Sequence, residues 1–85
     1  MDLPKISFSA PNVLIRYAGT PEEEFDNATE RLAAAHGATL LDAGVALEFP
    51  MMRDLEYGPF DESTAHVFTQ QVLALVSPGR HGEPS

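Results

Sequence analysis

The sequence predicts a small α+β domain with the element order strand, helix, strand, strand, helix. A helical period with marked ends covers residues 20–37, and a second, more apolar helical period covers residues 62–76. Every second residue is apolar over residues 12–18 and 38–49, which is typical of strands. From this order we expect a βαββα open-faced sandwich, in which about three strands carry both helices on one face.

The ends of the chain differ from its middle. Residues 1–11 hold two apolar residues at alternate positions, but two prolines interrupt any longer ladder. We therefore expect an N-terminal arm or a short edge strand there, followed by a single α+β domain over residues 12–77. Residues 78–85 are polar and predict a flexible tail.

The first helix has the clearest local signals. Thr20 is a favourable N-cap, and Glu23, three residues later, completes a capping box. Pro21 suits the first helical position, and Gly37 can adopt the left-handed conformation that ends a helix. These signals predict a helix over residues 21–36. Its buried face is expected to hold Phe25, Ala28, Leu32, Ala33 and Ala35.

Three strands are expected around this helix. Residues 12–18 are apolar on both sides, which predicts a central strand. Residues 38–49 predict a half-buried strand, in which Asp42 and Gly44 mark a bulge or a bend and Pro50 ends the ladder. A third, short strand is expected around residues 55–57. The inward residues of the second strand would be Leu41, Ala43, Val45, Leu47 and Phe49.

The second helix is apolar on more than one side. Asp61 or Ser63 can cap it, and residues 62–76 carry its periodic pattern. The expected main stripe is Ala65, Phe68, Val72, Leu75 and Val76, with Val67 and Ala74 on the far side. A chain of 85 residues without cysteine has a thin core and no disulfides. We therefore expect a homodimer or another small homo-oligomer.

Composition argues against several classes of function. Thirteen acidic residues against five basic ones give a net charge of -8, which repels nucleic acids and anionic membranes. No apolar run is long enough to cross a membrane. Direct nucleic-acid binding and membrane contact are therefore not expected, and we expect a cytoplasmic location.

No residue pattern indicates catalysis or a cofactor. His66 and Glu62 are one helical turn apart, but two ligands do not make a metal site. We expect no metal, no cofactor and no enzyme activity. The alternative is a small enzyme or ligand-binding domain with a site at a homodimer cleft around His66, Glu62 and Tyr57.

The remaining signal is surface recognition by a protein-binding or regulatory module. Acidic clusters complement basic protein surfaces, and methionine, aromatic residues and arginine are enriched at interfaces. The sharper form of this hypothesis is an inhibitor that covers the basic, nucleic-acid-binding face of its partner. Solvated surface and ordinary packing would explain the same residues. The predicted partner-binding residues are Glu22, Glu23, Glu24, Asp26, Met51, Met52, Arg53 and Tyr57.

Overall fold

A computed structural model describes residues 3–47 and 50–76 of the chain. This part comprises four strands and two helices. In chain order they are β1 (Lys5–Ser9), β2 (Asn12–Ala18), α1 (Glu23–Ala35), β3 (Thr39–Ala46), β4 (Met52–Gly58) and α2 (Glu62–Leu75).

The four strands form one sheet in the order β1-β2-β4-β3, and every neighbouring pair is antiparallel. The α+β class predicted from the sequence is confirmed. The predicted layout of about three strands in the order βαββα is not matched exactly, because β1 pairs with β2 and adds a fourth strand at the edge. Pro4 and Pro11 lie just outside β1, so neither proline removes a hydrogen bond from the ladder.

Strand β4 is longer than predicted and occupies the middle of the sheet. It pairs with β2 on one side and with β3 on the other, and Leu55 and Tyr57 are buried. The sequence predicted a strand only around residues 55–57, but Met52 and Asp54 already belong to the ladder. Polar residues enter this strand because its second sheet face is solvated, where Asp54 pairs with Arg16 at 2.7 Å.

Strand β3 contains a register shift that changes which leucine faces the helices. The shift lies between Leu40 and Asp42, close to the bulge or bend that the sequence predicted. Leu40 is opposite the buried Tyr57, whereas Leu41 is 51% exposed. Leu47 follows the strand and is 81% exposed. The inward placement predicted for Leu41 and Leu47 is therefore wrong, and that of Phe49 falls outside the described residues.

Helix α1 begins two residues later than predicted and without the predicted capping box. Its N-cap is Glu22, whose side chain makes no capping hydrogen bond. The backbone N–H of Glu22 donates instead to the hydroxyl of Tyr17 on β2, at 2.9 Å. An acceptor from the sheet thus replaces the one expected from Thr20.

The end of α1 agrees with the sequence. Gly37 has φ 82°, in the left-handed region expected after a helix. Its N–H donates to Ala34 and the N–H of Ala38 donates to Ala33, both at 2.9 Å. These two bonds form a Schellman motif, which turns the chain directly into β3.

Helix α2 starts at the predicted cap. The Asp61 carboxylate accepts a hydrogen bond from the backbone N–H of Thr64 at 2.7 Å and one from the Ser63 hydroxyl at 3.2 Å. Hydrogen bonding to the Thr64 side chain first, then to the Thr64 backbone N–H and the Ser63 hydroxyl, lowers the pKa of Asp61 below its ordinary value.

The core lies between the helices and one face of β2 and β4. Thr29 is fully buried, although the sequence placed only apolar residues on this face of α1. Ala35 and Leu75, both predicted to be inward, are exposed because the helices turn these positions away from the sheet. The buried apolar residues are Val13, Ile15, Tyr17, Phe25, Ala33, Ala38, Leu55, Tyr57, Phe60, Ala65, Phe68 and Val72.

We expect Gly58→Ala to destabilise the fold by about 1–2 kcal/mol. A Cβ at Gly58 would collide with the carboxamide oxygen of Asn12, whose Nδ2 donates to Glu56 at 2.8 Å, and would lie 3.1 Å from Leu41 Cδ1. Urea unfolding measures the change.

Gly44→Ala is the matched control, because a Cβ there meets no atom within 4 Å. It should leave stability unchanged or raise it by up to about 1 kcal/mol. Equal losses for the two variants would contradict the steric explanation.

Candidate functional site

The predicted partner-binding residues lie in three places. Glu23, Asp26, Arg53 and Tyr57 line one hollow between α1 and the β3–β4 half of the sheet. Glu22 and Glu24 lie on another side of α1, beside the end of α2. Met51 and Met52 are half-buried near the start of β4, and Met52 faces the solvated side of the sheet opposite Ala18 and Ala46.

The hollow, named here the α1–β3 hollow, has a volume of about 310 Å³. Its helix wall carries Glu23, Asn27 and Glu30, which recur at the spacing of one helix face. Asn27 and Glu30 were not among the predicted partner-binding residues, although their spacing from Glu23 can be read from the sequence. The remaining lining residues are Pro21, Asp26, Leu40, Arg53, Leu55 and Tyr57.

Asp26 is the centre of a hydrogen-bond network in this hollow. Its Oδ1 accepts a hydrogen bond from the hydroxyl of Tyr17 at 2.6 Å. Its Oδ2 accepts from Arg53 Nε at 3.1 Å and from Arg53 Nη2 at 3.0 Å. Tyr17 and Arg53 are opposite each other on β2 and β4, so both side chains project under the first turn of α1.

A second tyrosine attaches the next turn of the helix. The Thr29 hydroxyl donates to the Asp26 carbonyl oxygen at 2.9 Å and lies 2.6 Å from the hydroxyl of Tyr57. Because its single proton goes to the carbonyl, Thr29 receives the hydrogen bond that Tyr57 donates. Burial raises the pKa of Tyr57, which keeps this donor protonated.

These contacts give Asp26, Arg53 and Tyr57 structural roles. The side chains of Arg53 and Asp26 are only 18% and 15% exposed, so the pair is largely withdrawn from solvent. Binding of a partner by Asp26, Arg53 and Tyr57 stays a prediction. Of the acidic group, Glu22, Glu23 and Glu24 are exposed and make no ion pair within the described ranges.

The sheet arginines do not neutralise those glutamates. Arg16 pairs with Asp54 at 2.7 Å, and Arg53 pairs with Asp26 at 3.0 Å. The other cations within residues 3–47 and 50–76 are Lys5 and Arg31. The negative charge at the start of α1 therefore faces solvent.

A larger open groove, of about 1100 Å³, lies between β1 and α2. His66 and Glu62 line it together with Ile6, Phe8 and Val67. The third residue of the alternative ligand site, Tyr57, is buried beneath α1 and does not line this groove.

Two further features, a metal-ligating cluster and a membrane-spanning helix, are absent from the described residues. No three histidine, aspartate or glutamate side chains between residues 3 and 76, outside the undescribed pair 48–49, come together to hold a metal ion. Neither α1 nor α2 is long and apolar enough to cross a membrane.

Comparisons with protein-family models, with curated proteins and with solved structures gave no match for this chain. The functional hypothesis therefore depends on the geometry and charge of the site alone.

We expect Tyr17 to make stability fall at alkaline pH. Burial, and next the hydrogen bond to Asp26, raise the pKa of Tyr17 from 10.0 to about 12. The folded state therefore keeps a proton that the unfolded state loses, and this stabilisation is complete below pH 10.0 and is lost as pH rises to about 12. Urea unfolding at a series of pH values measures this loss.

Tyr17→Phe should flatten this decline and, at neutral pH, lower stability by about 1–2 kcal/mol, since Glu22 loses its acceptor. Tyr57→Phe is the control, because it retains the loss of stability that comes from deprotonation of Tyr17 at alkaline pH. A Tyr17→Phe profile parallel to that of the wild type would contradict the assignment.

Proposed function

We propose that this chain is a protein-binding or regulatory module that recognises a basic partner through the acidic surface at the start of α1. In the sharper form of the proposal it is an inhibitor that covers a nucleic-acid-binding face. The absence of enzyme activity and the cytoplasmic location expected from the sequence stay predictions.

The observation that carries this proposal is the accessibility of the first-turn carboxylates. Glu22, Glu23 and Glu24 are consecutive and exposed, and the nearby cation Arg53 is paired with Asp26. Negative charge near a helix N-terminus is stabilised by the helix dipole, so the cluster is tolerated without a partner. The same charge attracts a cationic surface over a distance of about 8–10 Å at physiological salt.

The network around Asp26 supports the proposal in a second way. It fixes the first turn of α1 to β2 and β4, so the glutamates are presented from a supported helix. Rigid presentation reduces the entropy lost on binding. Arg53 is then a positioning residue for the acidic surface.

The alternative of a small-molecule site retains one favourable observation, the groove between β1 and α2. Its apolar lining and His66 resemble a ligand pocket in composition. Activity or ligand binding that is lost in His66→Ala, with the fold intact, would favour this alternative.

The acidic surface predicts salt-dependent binding. The chain, used as bait in an extract of its native cells, should capture a basic partner at low salt and much less at physiological salt. The triple variant Glu22→Gln, Glu23→Gln, Glu24→Gln should reduce capture about tenfold or more at low salt. Quantitative mass spectrometry of the captured proteins measures both effects.

The matched control is the double variant Glu56→Gln, Glu62→Gln, which removes charge from the solvated sheet face and from the β1–α2 groove. It should lower capture by less than twofold. Equal losses per charge in the two variants would show that net charge, and not the start of α1, determines binding.

Self-association, predicted from the thin core, has its own test. Val67 and Leu75 on α2 are 45% and 40% exposed, and a second copy could cover them. Light scattering should give twice the monomer mass of 9.2 kDa, and the melting temperature should rise with concentration. A monomer at tens of micromolar with a constant melting temperature would contradict self-association.

A further inference from the structure

The outer edge of β3 combines an unpaired backbone with surrounding negative charge. The strand ends the sheet order, and within the described part of the chain its only neighbour is β4. It spans eight residues, and its pairing with β4 is continuous from Asp42 to Ala46, after the register shift. The peptide groups that point away from β4 are available to another strand.

The opposite edge of the sheet differs from this one. Strand β1 has five residues, carries Lys5 and follows Pro4. Lysine, proline and short length are the features that discourage pairing at natural sheet edges. Strand β3 contains neither proline nor lysine, and its features of this kind are the bulge near its start and the charge of Asp42.

Carboxylates flank β3 on both faces of the sheet. Glu23 and Glu30 line the α1–β3 hollow beside Leu40, on the helix face. Asp42 is exposed and lies opposite Glu56, on the solvated face. Arg53 on the helix face is paired with Asp26, and Arg16 on the solvated face is paired with Asp54, so neither guanidinium forms an ion pair with Glu23, Glu30 or Asp42.

We infer that the outer edge of β3 receives an extended, lysine- or arginine-bearing segment of the partner as a fifth strand of the sheet. This inference rests on the proposed function and names the form in which the basic partner is bound. Backbone hydrogen bonds supply affinity in strand addition, and alternate side chains supply specificity.

The spacing of the carboxylates suits such a strand. Glu23 and Glu30 are seven residues apart on α1, or about 10 Å along the helix axis. Side chains on one face of a strand recur about every 7 Å, so two long cationic side chains can reach both glutamates. Cationic side chains on the other face would meet Asp42.

Charge also favours a cationic segment over a second copy of this chain. Pairing of β3 with β3 of another copy would bring together two sets of the same carboxylates on molecules that each carry a charge of -8. Like charges placed opposite each other destabilise a strand pair, whereas opposite charges stabilise it.

The test uses the full chain and a synthetic peptide of about eight residues that alternates lysine and valine. We expect saturable binding in calorimetry. Amide hydrogen exchange should slow at alternate positions of residues 42–46 and stay unchanged in β1. A second peptide, with proline in place of valine, has the same charge but lacks half of the N–H donors, and it should bind about tenfold more weakly.

Two variants locate the site. Glu23→Gln combined with Glu30→Gln should weaken the lysine–valine peptide about fivefold at low salt, whereas Glu62→Gln should leave its affinity unchanged. The inference would be overturned by equal affinity for the two peptides or by no binding at all. It would also be overturned by protection from hydrogen exchange outside β3, or by protection of β3 that grows with protein concentration in the absence of peptide.

These failures are distinguishable from failure of the proposed function. If charge alone determines peptide affinity while capture of a basic partner still depends on Glu22, Glu23 and Glu24, the acidic recognition stands and strand addition is wrong. If the capture experiment also shows no dependence on those glutamates, both are wrong.

Discussion

The carboxylate of Asp26 connects helix α1 to the two central strands, and the position of the acidic surface depends on it. One oxygen receives the hydroxyl of Tyr17 and the other receives the guanidinium of Arg53. Removal of this carboxylate would leave a largely buried cation without its partner, which is more costly than the interaction itself is stabilising. The hydrogen-bond network around Asp26 is therefore maintained mainly because an unpaired, largely buried Arg53 would destabilise the fold.

The same network sets the electrostatics of one half of the molecule. Arg53 enters the sheet on β4, where a free guanidinium would offset the glutamates of α1. Its pairing with Asp26 cancels both charges and leaves Glu23 and Glu30 as the net charge of the α1–β3 hollow. The network thus contributes to the acidic surface by neutralising its one competing cation.

Structural features that depend only on residues close together in the sequence could be predicted. The cap at Asp61 and the left-handed turn at Gly37 involve residues only a few positions apart, and the structure has both. The capping box at Thr20 failed because Tyr17 supplies the acceptor from the adjacent strand. A local pattern can predict that a helix starts, but not which part of the fold satisfies its first N–H groups.

Structural features that depend on the pairing register of the strands were harder to predict. Strict alternation placed Leu41 inward, and a single extra residue at the bulge gave that position to Leu40. Glu30 was missed as part of the hollow because its role depends on which strand lies under α1. The sequence identified the acidic first turn itself, since consecutive glutamates before an amphipathic period face solvent on nearly any packing of the helix.

A cluster of free carboxylates also links binding to folding. The glutamates of α1 repel one another, and the helix dipole offsets only part of that repulsion. A cationic partner that binds only the folded state removes the repulsion and adds attraction, so it stabilises the folded chain by an amount that grows with the logarithm of one plus the ratio of the free partner concentration to Kd. The thin core of an 85-residue chain makes such a contribution large relative to total stability. In the proposed function, the charge that disfavours the isolated fold is also the source of selectivity for a basic partner.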